Sequence, residues 1–193
     1  MGWVILAALG FVVVGTVLYT VGLYNGLVTL RHAVDQAWAN IDVLLKQRHD
    51  ELPKLVDTVK GYMAHEREVL QRLAEARSAF QRASTVEEKG AADAAVRGAL
   101  GHLFAVAEGY PELKADASFR QLQERISGLE EGIADRREFF NHAVNAYNVR
   151  IEQIPDVFLA RAMGLAPRAL FRVADEDKAD VRISFEGSPL ASR

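Results

Sequence analysis

The sequence contains no cysteine. Disulfide frameworks, zinc sites built on thiolates and thiol nucleophiles are therefore excluded. The formal net charge is only -3, and this balance gives no support to nucleic-acid binding, which needs a basic face. We therefore expect no nucleic-acid partner.

The first thirty residues contain no charged side chain, although the whole chain has 23 Lys and Arg and 26 Asp and Glu. Within them, residues 3–24 are apolar and long enough, at about 1.5 Å per helical residue, to cross a hydrocarbon core about 30 Å thick. The alternative is a cleaved signal peptide, which normally begins with basic residues and ends at a small-residue cleavage site. Nothing basic precedes this run. The sequence thus favours an uncleaved transmembrane helix over residues 1–26, continuing as one helix into the next segment.

Small residues recur on one face of this predicted transmembrane helix. Such a face lets helix backbones approach closely in lipid, so it is typical of self-association, although glycine and alanine are also common in membrane helices in general. The residues of the face are Ala8, Gly15, Gly22 and Gly26. Basic residues follow only on the C-terminal side, beginning at Arg31, which favours a cytoplasmic position for the remaining domain.

Glycine and proline are sparse between residues 26 and 108, and strand-like alternation is almost absent. Apolar residues at steps of three and four predict helices over about 27–49, 52–83, 86–108 and 117–154. Asp50 and Pro53 supply a candidate cap and a first-turn proline, which favours a turn there over one kinked helix. Short connections between such helices predict an all-α, antiparallel up-and-down four-helix bundle with coiled-coil-like seams.

Charged residues interrupt two of these apolar seams. Glu66 lies in the second predicted helix, and Arg136 and Arg137 lie in the fourth. Because a lone buried carboxylate is costly, one hypothesis is that Glu66 pairs with one of these arginines inside the bundle. The alternative is that the Glu66 carboxylate and the arginine side chains each reach water.

The segment 155–185 is predicted to pack at the membrane-proximal end of the bundle, because the fourth helix returns toward the membrane. It interleaves apolar residues with arginines, a composition able to lie at a headgroup interface. We favour the alternative that it caps the bundle. The candidate lipid-contacting residues are Phe158, Arg161, Arg168, Phe171 and Arg172. Residues 181–185 alternate between apolar and polar side chains, as in one short strand. Residues 186–193 are predicted to form a flexible tail.

No pattern typical of a catalytic, cofactor or metal site is present in the sequence. The five histidines are scattered and form neither a His-x-x-x-His nor a Glu-x-x-His pair, which argues against a di-iron bundle. A glycine-rich phosphate loop and a nucleophile elbow are also missing. We therefore expect no catalytic residue, no cofactor and no metal. Asn141, Asn145 and Asn148 lie beside the last apolar seam. They are predicted to fix helix register by hydrogen bonding, and a binding role is the less favoured alternative.

Several blocks of sequence, which together extend over nearly the whole chain, have a distinctive pattern. They include Tyr24-Asn25-Gly26-Leu27-Val28, Ala37-Trp38-Ala39-Asn40-Ile41-Asp42-Val43-Leu44-Leu45-Lys46-Gln47-Arg48, Val59-Lys60-Gly61-Tyr62 and Tyr110-Pro111-Glu112-Leu113-Lys114. In these blocks the sequence resembles the LemA family. Three departures from the family pattern, Glu51, Phe140 and Ile154, look like packing variations. The resemblance implies a membrane-anchored four-helix bundle of the bacterial cell membrane with no established enzymatic activity. It also implies links to membrane remodelling and to membrane proteases, and it carries no catalytic residues over to this chain.

These observations predict a single-pass protein of the bacterial inner membrane whose helical domain forms a homo-oligomeric scaffold that supports or shapes the membrane. Its predicted partners are membrane lipid, further copies of the chain and other envelope membrane proteins. The alternative is an adaptor that regulates another membrane protein, such as a membrane protease. An enzymatic function is the third alternative and the least favoured.

Overall fold

The computed structural model describes residues 1–171, and this part of the chain forms six helices and no strand. The predicted all-α fold with an N-terminal apolar helix is confirmed. The helices are α1 (Gly2–Lys60), α2 (Arg67–Arg82), α3 (Val86–Ala107), α4 (Pro111–Ala115), α5 (Ala117–Glu152) and α6 (Asp156–Ala162). Arg172, the strand predicted over 181–185 and the tail predicted over 186–193 lie outside the described residues.

Helix α1 combines two environments in one uninterrupted element of 59 residues, which is about 88 Å long. The side chains of residues 1–22 are all exposed, and this part is long and apolar enough to cross a membrane. From Leu27 onward the same helix buries a residue every three or four positions, as a helix packed along one face does. The buried apolar residues are Leu27, Val34, Ala37, Ile41, Leu45, Leu52, Leu55 and Val59.

The turn predicted at Asp50 is wrong, because α1 continues through Pro53 as far as Lys60. A proline inside a helix removes one backbone hydrogen bond and costs about 3 kcal/mol. Leu52 and Leu55 flank it and are fully buried, and each burial stabilises by about 1.5–3 kcal/mol, so packing outweighs the proline. The chain turns instead at residues 61–66. The helix predicted over 52–83 is therefore divided between α1 and α2.

The four longer helices alternate in direction. Helix α5 packs antiparallel to α1, since Phe119 near its start shares a cluster with Met63, and Ile151 near its end shares one with Leu27. Phe80 near the end of α2 stacks on His49 of α1 with ring centroids 5.1 Å apart. Helix α2 therefore runs back along α1, and α3 returns in the direction of α1. The short helices α4 and α6 lie at opposite ends of this arrangement.

The core has two apolar clusters, one above the other along the bundle. The distal cluster, far from the apolar segment of α1, includes Leu52, Leu55, Val59, Met63, Leu73, Val96, Leu103, Phe119 and Ile126. The proximal cluster includes Leu27, Val34, Ile41, Leu45, Ile133, Phe140, Val144, Tyr147, Ile151 and Phe171. Both α1 and α5 contribute to the two clusters. Charged side chains occupy the level between them.

Candidate functional site

A buried arginine occupies the level between the two clusters. Arg48 of α1 is 1% exposed, and in the sequence it lies between the buried Leu45 and Leu52. One terminal nitrogen, Nη2, donates a hydrogen bond to Asp93 Oδ1 of α3 at 2.7 Å. The other, Nη1, donates to Glu130 Oε1 of α5. This arginine therefore connects three helices through charge-assisted hydrogen bonds.

Arg97 completes the group around Arg48, which we call the charged layer (Arg48, Asp93, Arg97 and Glu130). Its Nη2 donates to Asp93 Oδ2 at 2.9 Å, and its Nε lies 3.6 Å from Glu130 Oε2. Two cations thus face two anions. Asp93 is almost fully buried, whereas Glu130 and Arg97 are 25% and 31% exposed. Pairing and hydrogen bonding are what a buried charge requires. Both carboxylates of this layer meet these requirements, whereas the Nε of Arg48 is buried without a hydrogen-bond partner among the described residues.

Two titratable groups of α1 lie beside the charged layer. Burial raises the pKa of Glu51, but hydrogen bonds from Arg125 and Lys54 outweigh burial, and the pKa lies below its ordinary value. Burial lowers the pKa of His49, and the positive charge of Arg77 lowers it further. The neutral imidazole is therefore the form that the fold favours.

The charged layer is a set of ion pairs. Each of its carboxylates is held by guanidinium groups. Among residues 1–171, no group of three or more His, Cys, Asp or Glu side chains could hold a metal ion. The layer is best explained as fixing the register of α1, α3 and α5. The ion pairs form only when Arg48, Asp93 and Glu130 lie at the same level along the bundle.

The hypothesis that Glu66 pairs with Arg136 or Arg137 is wrong. Glu66 lies in the turn between α1 and α2 at the distal end, where its Oε1 accepts a hydrogen bond from the Tyr110 hydroxyl at 2.7 Å. The two arginines lie on α5, between Glu130 and the proximal end. They are about 25 Å away from the distal end along the axis of the bundle. The hypothesis required one helix over 52–83, and that helix is interrupted before Glu66.

The sequence did contain a sign of the charged layer. Arg48 occupies a step of three or four between apolar core residues, and so do Asp93 before Val96 and Glu130 between Ile126 and Ile133. Three separate helices thus each place a charged residue at a core position. This pattern predicts that the three residues meet in one polar layer of the core.

The proximal end of the bundle carries a short bend that we call the elbow (residues 153–164). Its inner side is held by the buried Asp156, whose Oδ1 accepts a hydrogen bond from Arg150 Nε at 2.8 Å, and by the buried Ala160. Helix α6 ends at Ala162. Gly164, two residues later, has a φ of +65°, and the amide of Leu165 donates to the carbonyl of Ala160 at 2.9 Å. A left-handed glycine followed by this bond is a Schellman helix end.

After the elbow, residues 165–171 run back along α5 as an extended segment that we call the strap. Asn148 exchanges two hydrogen bonds with the backbone of Arg168, at 2.8 and 2.9 Å. Asn141 does the same with Phe171, at 2.8 and 3.0 Å. The Tyr147 hydroxyl donates to the carbonyl of Ala166 at 3.2 Å. These asparagines therefore bond to the chain's own backbone, and the helix-register role predicted for them is replaced by strap binding.

The candidate lipid-contacting residues have different positions in the structure. Phe171 is buried in the proximal cluster, with its ring centroid 5.7 Å from that of Trp38, so its predicted lipid contact is wrong. Arg168 is exposed on the strap and lies 3.4 Å from Asp35. Phe158 and Arg161 are exposed on the elbow. The strap therefore packs along the side of α5, and exposed apolar side chains remain at Ile154 and Phe158 of the elbow and at Leu170 of the strap.

The predicted small-residue face of α1 is open. A Cβ atom built at Gly15, Gly22 or Gly26 would meet no heavy atom within 4 Å, and Ala8 is exposed. No other described part of the chain packs on this face.

Comparisons with known proteins give consistent matches. The model of the LemA family matches residues 37–185, which is more than half of the chain. Protein LemA of Metamycoplasma hominis is 29% identical over 169 residues, which cover 85% of this chain and 75% of that protein.

Magnetosome proteins are also among the relatives. Magnetosome protein MamQ of Magnetospirillum gryphiswaldense is 25% identical over 167 residues, covering 73% of this chain and 61% of that protein. Magnetosome protein MamQ 2 of Paramagnetospirillum magneticum is 23% identical over 175 residues, covering 77% of this chain and 64% of that protein. The match spans less than two thirds of the length of both MamQ proteins.

Proposed function

Because the chain belongs to the LemA family, we propose that it is a membrane-anchored helical scaffold, which assembles with copies of itself at the bacterial membrane and supports or shapes it. The observation that carries this proposal is the continuity of α1. One helix extends from fully exposed apolar residues at its start to the fully buried Leu27 and Val59.

The exposed apolar residues at the start of α1 need a non-aqueous environment. Trp3, Phe11 and Leu18 are 75%, 82% and 67% exposed, and a contiguous apolar surface of this size marks contact with a membrane or a protein. Its length and lack of charge suit a bilayer. The same helix then contributes residues to both core clusters, so the bundle is joined to the anchor without a flexible linker.

The small-residue face provides a way for anchors to associate. In lipid, helices associate through close packing, and glycine and alanine allow their backbones to approach. The face has no partner within the described chain. The MamQ relatives are named as magnetosome proteins.

The test is the size of the full chain extracted in a mild detergent, measured by light scattering corrected for bound detergent. We expect a complex of several chains. Gly15→Leu and Gly22→Leu should reduce it toward the single chain, because leucine holds the backbones apart.

Gly10→Leu is the matched control. At about 100° per residue, Gly10 lies about 140° away from Gly15 around the helix, so this variant should assemble normally. A single chain that extracts together with one other membrane protein would instead support the adaptor. Equal effects of all three leucine variants would contradict assembly through this face.

A further inference from the structure

The elbow lies at the level where the apolar segment of α1 ends. Arg48 of α1 pairs with Glu130 of the antiparallel α5, and Leu27 and Ile151 each lie 21 residues from that pair toward the same end of the bundle. Both are buried with Ala160 of α6 in the proximal cluster, and α1 and α6 are in contact. The elbow is therefore the part of the bundle closest to the bilayer that α1 would span.

The elbow has two unlike sides. Its inner side is buried and paired, through Ala160 and the Arg150–Asp156 ion pair. On the other side, Ile154 is 79% exposed and Phe158 is 66% exposed. Leaving these two large apolar side chains in water is unfavourable, since burial of each would stabilise the protein.

Basic residues accompany these apolar side chains. Arg161 is exposed one turn after Phe158, and Arg31 is exposed on α1 one turn after Leu27. Cations beside apolar anchors suit the headgroup region of a membrane with anionic lipids. The position beside α1 favours lipid over a soluble protein as the occupant of this surface.

We propose that the elbow enters the lipid headgroup region, with Ile154 and Phe158 as apolar anchors, and gives the bundle a second attachment to the bilayer beside α1. This inference rests on the proposed membrane anchor. Two attachments restrict the tilt of the bundle, whereas a single helix would leave it free to lean. The orientation in which bundles meet their neighbours on the membrane is thereby set by the chain itself.

The absence of cysteine allows a direct test. Four variants of the full chain, Val13→Cys, Ile154→Cys, Phe158→Cys and Phe139→Cys, each receive one nitroxide label and are reconstituted into vesicles of phosphatidylcholine and phosphatidylglycerol. Collisions with oxygen, which concentrates in lipid, are compared with collisions with a water-soluble nickel complex. Phe139 is the matched control, because it is 61% exposed and lies on α5 about 20 Å above the elbow.

The expected result is that labels at positions 13, 154 and 158 collide more with oxygen than with nickel, and that the label at 139 shows the opposite. The oxygen-to-nickel ratio at 158 should exceed that at 139 at least severalfold. If position 13 lies in lipid while 154 and 158 resemble 139, the elbow proposal is overturned and the anchor stands. If labels at 154 and 158 are shielded from both reagents, a protein covers the elbow and the proposal is likewise overturned. If position 13 itself lies in water, the anchor fails and the elbow proposal fails with it.

Discussion

Arg48 is a buried cation that depends on its two carboxylate partners. Its charge lies between two apolar clusters, and Asp93 and Glu130 are its hydrogen-bonding partners. Removing one member of such a buried group leaves the others charged and unpaired, which is far more costly than the net value of the pair.

We expect Arg48→Ala to reduce the free energy of unfolding by about 3–5 kcal/mol. The measurement is denaturant unfolding of the detergent-solubilised chain, followed by circular dichroism. Arg72→Ala is the control, since Arg72 forms only an exposed pair with Glu68, and it should cost about 0.5 kcal/mol or less. Arg48→Met combined with Asp93→Leu should recover much of the loss. Equal costs for the two single variants would contradict the burial argument.

His49 makes stability depend on pH. Burial, and then Arg77, lowers its pKa in the folded chain. The unfolded chain therefore takes up a proton first as the pH falls through the ordinary value of about 6.5. Stability should decrease below that pH and level off below the folded-state pKa.

We expect His49→Gln to reduce this loss of stability, because glutamine does not titrate. Thermal unfolding midpoints between about pH 5 and pH 8 measure the effect. His32→Gln, at an exposed position of the same helix, should leave the pH dependence unchanged. If the two variants show the same pH dependence as the unchanged chain, His49 is not responsible.

At the scale of elements, α1 shows what a periodic pattern leaves undecided. Steps of three and four continue through Pro53 with the same face, and such steps are equally compatible with one helix or with two helices in register. Local chemistry favoured a turn, because Asp50 and Pro53 resemble a helix start. Leu52 and Leu55 are buried on the core-facing side of α1, and this burial favours one continuous helix.

The strap depends on a match between two spacings. Asn141 and Asn148 are two helical turns apart, which is about 10.5 Å, and the three residue steps from Arg168 to Phe171 span about 10 Å in an extended chain. Each amide side chain can therefore pair with one backbone unit of the strap. Asparagine suits this role because it supplies both a donor and an acceptor.

We expect Asn141→Ala combined with Asn148→Ala to release the strap. Each variant loses two hydrogen bonds of about 1 kcal/mol, so cleavage by trypsin after Arg168 should accelerate tenfold or more. The rate is measured by mass spectrometry of the released peptide. Asn145→Ala, at an exposed position on the same helix, should not change it. A strap cleaved equally fast in both variants would show that the asparagine pairs do not hold it.

At the scale of the whole molecule, the anchor and the bundle share a helix but do not share a core. Residues 1–22 are exposed throughout, whereas Leu27 is fully buried in the proximal cluster. The predicted boundary at residue 26 can therefore be tested by deletion.

We expect a chain that lacks residues 1–26 to remain folded and soluble without detergent, with its thermal unfolding midpoint unchanged within a few degrees of the full chain in detergent. Adding Leu27→Ala to this shortened chain should destabilise it by about 2–5 kcal/mol. Leu9→Ala in the full chain should have no measurable effect, because Leu9 is 61% exposed. Unfolding of the shortened chain would contradict the boundary.

The sequence by itself determined the all-α class and the apolar segment of α1. Both can be predicted from local sequence alone. A long run without charges and apolar residues at steps of three and four are patterns of residues that lie close together in the chain.

Only the tertiary structure decided where the chain turns, which charges meet and where the strap lies. Glu66 and Arg48 are both charged residues on apolar seams, and nothing local distinguishes the one that reaches a tyrosine at the tip from the one buried between two carboxylates. Their environments depend on contacts between residues 44 to 82 positions apart. The physical reason is that pairing across such separations is set by which helix faces pack together, and the faces pack according to the whole apolar surface that they bury.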